Sequence, residues 1–168
     1  MGDSAMAVIA IFLAAILMFV FPLMTMADKK DDVSALSIQT ATTSFTDTIR
    51  TTGKITQENY DNFEQVLGAT GNAYDVDITV EILDENPAKK QTSDVHTIGD
   101  NVYYYMYKTQ ILSNLPLSLK EGDIVSVSVK NTNDTIAQQL RNFLYRVTGN
   151  NSSTITAAAS GIVTANGN

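Results

Sequence analysis

The sequence lacks the residues on which much enzyme chemistry depends: it has no cysteine, no tryptophan and a single histidine, His96, among 168 residues. The absence of cysteine excludes a disulfide framework, a thiolate metal site and a cysteine nucleophile. A single histidine leaves little basis for a catalytic system in which a histidine activates a serine nucleophile. The phosphate-loop, GxGxxG and HExxH patterns do not occur. We therefore expect no enzyme activity, no cofactor, no metal site and no small-molecule substrate.

Basic residues are also scarce. Eleven lysines and arginines face eighteen acids, which gives a net charge of −7 at pH 7. The densest basic spots are the pairs Lys29-Lys30 and Lys89-Lys90, and both lie beside acids. Binding to a phosphate backbone requires clusters of lysine and arginine. We therefore expect no nucleic-acid partner.

The first feature that is present is a long apolar run. No charged residue occurs from Ala5 to Met26, and 22 residues of helix would span about 33 Å, enough to cross a bilayer. A secretory signal would have a basic start and a shorter apolar run, although cleavage after Ala27 is an alternative. The chain is expected in the cell membrane with an extracellular head, or in an extracellular filament. The acidic, threonine-rich remainder favours an N-terminus inside the cell, whereas the positive-inside rule would place Lys29-Lys30 in the cytoplasm.

Small residues recur within this run. Ala7, Ala10 and Ala14 lie on one helical face, which predicts close packing against another helix. Pro22 is expected to free a backbone carbonyl and to kink the helix. The alternative is that both features reflect the ordinary composition of membrane helices.

The helical pattern continues beyond the apolar run. No glycine or proline occurs between Met24 and Gly53, which predicts one helix over residues 4–51, on the order of 70 Å long. We divide the chain into an apolar helix (1–27), an amphipathic continuation (28–52) and a head (53–168). The stripe expected to pack on the head consists of Val33, Leu36, Ala41, Phe45 and Ile49.

The head is predicted to be α+β, with a mainly antiparallel sheet of three to four strands and two or three shorter helices. The first helix starts at the N-cap Thr56 and ends at Gly68 or Gly71. Its apolar face is expected to contain Tyr60, Phe63, Val66 and Leu67. Alternating patterns predict strands in YDVDITVEIL, with Val76, Ile78, Val80 and Ile82 on one face, and in GDIVSVSVK, with Val125, Val127 and Val129 inward.

The rest of the head divides into three segments. Residues 102–114 fit a helix that ends at Pro116 or an aromatic strand from Val102 to Tyr107. A helix is predicted to start at Asn133 or Asp134 and to stop at Gly149. Its inward residues would be Ile136, Leu140, Phe143 and Val147. A final strand is expected over 153–164, where small residues allow a neighbouring element to approach closely.

Four tyrosines fall within five positions: Tyr103, Tyr104, Tyr105 and Tyr107. Tyrosine is enriched at interfaces, so this cluster is a candidate interaction surface. The alternative is that the four rings line the core of the head.

An apolar N-terminal helix that continues under a small α+β head resembles the type IV pilin architecture, in which a proline also lies near the outer end of the apolar half. The block from Phe45 to Glu81, FTDTIRTTGKITQENYDNFEQVLGATGNAYDVDITVE, resembles a Gram-positive family associated with tight-adherence (Tad) systems. That family is similar to the TadE-like minor pilins. GDIVSVSVKNTNDTIAQQLRNFLY and SGIVTANG fit the same resemblance.

The resemblance implies a pilin-like structural subunit or assembly factor of a Tad/type IV-like filament. Its expected partners are the membrane and either further copies of the chain in a filament or other pilin-like subunits. The chain departs from the pilin pattern in one respect. Pilin precursors carry a basic leader ending in glycine and a glutamate at the fifth mature position. Here Gly2 is the only glycine near the start, and the first glutamate is Glu58. The alternative function is a membrane-anchored extracellular binding domain that acts as a monomer.

Overall fold

The computed structural model describes residues 2–84, 103–144 and 154–167. These residues form an α+β fold with four helices and six strands. The elements in chain order are α1 (Gly2–Thr52), β1 (Lys54–Ile55), α2 (Gln57–Ala69), β2 (Tyr74–Leu83), β3 (Tyr103–Tyr107), α3 (Lys108–Ser113), β4 (Leu117–Ser118), β5 (Ile124–Asn131), α4 (Ile136–Leu144) and β6 (Thr156–Ile162).

The first helix is continuous over 51 residues, which confirms the predicted long helix. Pro22 lies inside it without ending it. Its outer half is rich in threonine, a poor helix former. The hydroxyls of the buried residues Thr42 and Thr46 donate to the carbonyls four residues earlier, at 2.6 and 2.8 Å. These bonds satisfy the hydroxyls within the helix, so that threonine can be buried there.

The helix ends at Gly53, as predicted. Gly53 has a φ of +65°, a conformation that glycine adopts without steric cost. A side chain at this position would overlap the backbone of Ala165 and Gly167. The end of the chain is held here by further backbone bonds, including Thr164 N–H to the Arg50 carbonyl at 2.9 Å.

The main sheet has four antiparallel strands in the order β3-β2-β5-β6, and β1 pairs with β4 in a separate two-stranded ribbon. β2 and β5 lie at the centre, with Val76 opposite Val129 and Val80 opposite Val125. The alternating residues of both strands are buried on one face, as the sequence predicted.

The core lies between that sheet face, α1 and α2. Phe45 of α1 stacks on Phe63 of α2, with ring centroids 4.6 Å apart and planes 3° from parallel. Ile38 and Ile49 of α1 are fully buried. The remaining buried residues of this core include Tyr60, Leu67, Val76, Ile78, Val80, Val125, Val127 and Val129.

The stripe by which α1 contacts the head differs from the predicted one. Phe45 and Ile49 are buried and Ala41 is partly buried, but Val33 and Leu36 are 65% and 69% exposed. The buried face instead continues through Ile38 and Ser34. Residue 34 lies one turn from residue 38 on the same side of the helix, whereas positions 33 and 36 are rotated away from it.

The α2 helix confirms the predicted cap, since the Thr56 side chain accepts a hydrogen bond from the Asn59 N–H. The helix ends at Ala69, and Gly71 has the positive φ that reverses the chain. Tyr60, Phe63 and Leu67 are buried as predicted. Val66 is 46% exposed, contrary to the prediction, because α1 covers only part of the apolar face.

The ambiguous segment 102–114 contains both structures. β3 ends at Tyr107, and α3 begins at Lys108 with Ile111 fully buried. The side chain of Gln110 accepts a hydrogen bond from the Tyr107 N–H, so that the first turn of α3 is closed without a Ser, Thr or Asp cap.

The α4 helix begins later than predicted and is rotated. Thr135 caps it: its hydroxyl accepts from the Gln138 N–H, and the Gln138 side chain accepts from the Thr135 N–H. Asn133, one of the two predicted starting residues, does not cap the helix, because its side-chain oxygen accepts a hydrogen bond from the Ala73 N–H at 2.8 Å. Ile136, predicted to face inward, is 55% exposed, whereas Ala137 and Gln138 are buried. The predictions for the Phe143 side chain, Val147 and Gly149 lie outside the described residues.

β6 forms the edge of the sheet against α1, and its small residues allow the close approach that the sequence predicted. A side chain at Gly161 would overlap Arg50. The Arg50 Nε donates to the Ile162 carbonyl at 3.1 Å, and the Gln39 Nε2 donates to the Ala158 carbonyl at 3.5 Å. Side chains of α1 therefore satisfy carbonyls of this strand that do not face β5, which protects the edge from pairing with another chain.

Candidate functional site

The apolar half of α1 carries most of the exposed large apolar side chains among the described residues. Its most apolar 18-residue window has a mean hydropathy of 2.8, and none of that window is buried. By length and composition this half can cross a membrane, and it is compatible with an anchor or a signal sequence. The exposed large apolar residues are Met6, Val8, Ile9, Ile11, Phe12, Leu13, Ile16, Leu17, Met18, Phe19, Phe21, Leu23 and Met26.

The residues predicted to pack this helix lie on that surface. Ala7, Ala10 and Ala14 are exposed, and their spacing places them along one face of α1. Pro22 is also exposed. The part of the chain that the structure describes places no other element against these four residues. The surface is therefore available to lipid or to another protein helix.

A charged segment, Asp28–Asp32, separates the two halves of α1, and α4 is attached to it. Arg141 of α4 forms an ion pair with Asp28. The Thr135 hydroxyl, at the start of α4, donates to the Asp31 carboxylate at 2.6 Å. These bonds join residues more than a hundred positions apart, and no local pattern in the sequence indicated them.

Beyond the charged segment, apolar side chains remain uncovered. Val33, Leu36 and Val66 are exposed. A groove of about 530 Å³ lies between α1 and the last turn of α2. Its lining residues are Met26, Lys29, Lys30, Val33, Ser34, Ser37, Val66, Ala69 and Thr70. The sequence identified Val33 and Leu36 as apolar stripe residues but placed them against the chain's own head.

The tyrosine cluster is divided between the two faces of β3. Tyr104 lies opposite Ile82 of the inner sheet face, and its hydroxyl donates to the Asp84 carboxylate at 3.2 Å. Tyr105 and Tyr107 lie on the outer face and are 56% and 57% exposed. Tyr103 shares their face but is half-buried. Tyr104 is 40% exposed, so the cluster presents three exposed rings, of which two lie on the outer face.

No three His, Cys, Asp or Glu side chains within the described ranges converge to hold a metal ion. Burial raises the pKa of the Tyr60 hydroxyl well above its usual value, and the neighbouring Glu64 and Asp61 carboxylates raise it further. Tyr60 lies in the core beside Phe45, so this shift accompanies packing rather than an open site.

Comparisons of the chain with protein-family models, with curated proteins and with solved structures find no match.

Proposed function

We propose that this chain is a pilin-like structural subunit or assembly factor of a Tad/type IV-like surface filament. The observation that carries the proposal is the division of α1: one continuous helix has an apolar half that is not buried by any described part of the chain and an outer half embedded in the head. A flexible link between the two halves would favour a simple tether. A rigid helix transmits the position of the head to whatever the apolar half packs against.

The exposed residues beyond the charged segment support assembly in particular. Val33 and Leu36 lie about 10 and 15 Å further along the helix than Met26. The charges of Asp28–Asp32 intervene, so the hydrocarbon core that would surround residues 5–26 does not extend to Val33 and Leu36. Packing of neighbouring subunits along α1 would cover them.

The energetics of this proposal depend on where the helix is. In the bilayer, lipid already covers the apolar side chains, so helices associate through close packing at small residues such as Ala7, Ala10 and Ala14. Outside the bilayer, burial of each large apolar side chain is worth about 1.5–3 kcal/mol. A filament core built from about a dozen such residues per subunit would therefore hold together without covalent links.

A second function, a membrane-anchored binding domain that acts as a monomer, is favoured by one observation. Tyr105 and Tyr107 expose two neighbouring rings on the outer face of an edge strand. Exposed tyrosines of this kind serve as anchors in protein interfaces. This function would need the membrane span of α1 but not its packing face.

Shearing intact cells and separating filaments from membranes distinguishes the two functions. The structural subunit should be recovered in the filament fraction, whereas the anchored monomer should stay in the membrane pellet. The double variant Ala10→Leu/Ala14→Leu should remove the protein from the filament fraction, because larger side chains prevent close helix packing. The matched control, Ile11→Leu/Ile16→Leu, changes neighbouring exposed positions that already carry a large side chain, and it should assemble normally. Wild-type protein confined to the membrane pellet would contradict the assembly proposal.

A further inference from the structure

The described part of the α4 helix leaves one large apolar side chain uncovered by the head. Ala137 and Gln138 are buried, whereas Ile136 is 55% exposed and Leu140 is only half-buried. In water, an amphipathic helix gains stability by burying its large apolar residues and exposing its glutamines. Gln139 follows this rule, and Gln138 is buried through its cap bonds with Thr135. The exposed Ile136 departs from the rule, which indicates that a medium less polar than water covers this position in the working state of the protein.

The position of α4 identifies what that surface is. Thr135 is bonded to Asp31 and Arg141 to Asp28. Along α1, these aspartates lie about 8 and 3 Å beyond Met26, where the apolar run ends. The interfacial layer of a bilayer extends roughly 5–8 Å beyond the hydrocarbon core. If the core ends near Met26, α4 lies at the depth of the lipid headgroups.

Paired acids at this level lower the cost of entering a partly dehydrated layer. Asp28 is neutralised by Arg141, and Asp31 accepts the Thr135 hydroxyl, so that two of the three acids in the charged segment are paired by α4 and its cap. Lys29 and Lys30 are exposed, and long lysine side chains can reach the headgroup phosphates from this depth. The residues of α4 include no acid, and the nearest acid, the exposed Asp134, lies just before its cap.

We propose that α4 is an interfacial helix: while α1 is inserted in the membrane, the exposed face of α4 around Ile136 lies in the headgroup layer and seats the head on the bilayer. This inference rests on the proposed membrane insertion of α1. It adds a second membrane contact, which would fix the height and tilt of the head before assembly. The occupant of the face is phospholipid rather than another protein.

The absence of cysteine from the chain allows a direct test with single-cysteine variants. Ile136→Cys, Met18→Cys and Thr40→Cys are labelled with the same environment-sensitive fluorophore. Each full chain is reconstituted in phosphatidylcholine–phosphatidylglycerol vesicles, with and without two nitroxide lipids, one with the quencher near the headgroup and one with the quencher midway along the acyl chain. Met18 is the control within the apolar half. Thr40 is an exposed residue of the same helix about 21 Å beyond Met26.

The label at position 136 should be quenched by the nitroxide lipids at least half as strongly as the label at position 18, and the label at position 40 should not be quenched. Quenching at position 18 but not at position 136 would overturn the α4 inference and leave membrane insertion intact. No quenching at position 18 would overturn membrane insertion and the α4 inference together.

Aqueous iodide provides the second measurement. If the label at position 136 is shielded from iodide only at high protein density, without quenching by lipid, another copy of the chain covers the face and the lipid inference is wrong. Because Ile136 is exposed, its replacement should not unfold the head. An unchanged thermal unfolding temperature of the labelled chain in detergent checks this point.

Discussion

The Thr135 hydroxyl donates a 2.6 Å hydrogen bond to the Asp31 carboxylate, across 104 positions of sequence. The same hydroxyl accepts from the Gln138 N–H and so caps α4. One side chain thus starts a helix and fastens it to α1 at the end of the apolar half. The orientation of α4 therefore depends on a residue that serves both purposes.

Thr135→Val should lower the free energy of unfolding of the head by about 1–2 kcal/mol, because it removes the cap and the bond to Asp31 together. Urea unfolding in detergent, followed by the near-UV circular dichroism of the tyrosines, measures the change. Thr135→Ser keeps the hydroxyl and should stay within about 0.5 kcal/mol of the wild type. Equal losses in the two variants would show that the hydroxyl is not the stabilising group.

Phe45→Ala should destabilise the head by about 3–5 kcal/mol, because it removes the ring that stacks on Phe63 and leaves a cavity in the core. Val33→Ala changes an exposed residue of the same helix and should cost no more than about 0.5 kcal/mol in the isolated chain. The same unfolding measurement compares them. A large loss in Val33→Ala would contradict the assignment of the buried face of α1.

Two glycines should respond in opposite directions to replacement by alanine. Gly53→Ala should cost at least about 2 kcal/mol, because a positive φ disfavours alanine and the new methyl would overlap Ala165. Gly68→Ala should instead stabilise by about 0.5–1 kcal/mol, because Gly68 lies within α2 and open space surrounds its Cα. The thermal unfolding temperatures of the two variants, each compared with the wild type, measure both effects, and Gly68→Ala serves as the control for Gly53→Ala.

The stability of the head should fall at alkaline pH, in part through Tyr60. Burial raises the pKa of this hydroxyl in the folded chain, so the folded state keeps its proton where the unfolded chain, with a pKa near 10, loses it. The contribution of Tyr60 to the free energy of unfolding is fully present below pH 10. Above pH 10 it decreases by up to about 1.4 kcal/mol per pH unit.

Tyr60→Phe should remove that decrease, and the difference in unfolding free energy between wild type and variant should change between pH 9 and pH 12. Glu64→Gln removes a neighbouring charge but leaves the ring buried. It should retain most of the decrease, because burial is the largest cause of the shift. Parallel pH curves for wild type and Tyr60→Phe would contradict the role of Tyr60.

Features that depend on neighbouring residues were predictable from the sequence. The apolar run, the continuous helix up to Gly53, the Thr56 cap and the alternation in β2 and β5 all appear in the structure. Each follows from short-range sterics, local hydrogen bonds or the period of the side chains. The α+β class and the antiparallel sheet followed from the order of these elements.

The tertiary structure decided which face of each helix is buried. Val33, Leu36 and Ile136 have the right spacing for inward stripes, yet all three are exposed. The faces of α1 and α4 are set by partners far along the chain, such as Arg141 for Asp28, and periodicity does not reveal such partners. Local patterns along the chain were thus enough to predict that a long apolar helix carries a small α+β head. The packing between distant segments determined which surfaces of that helix and of α4 remain open, because burial depends on what is nearby in space.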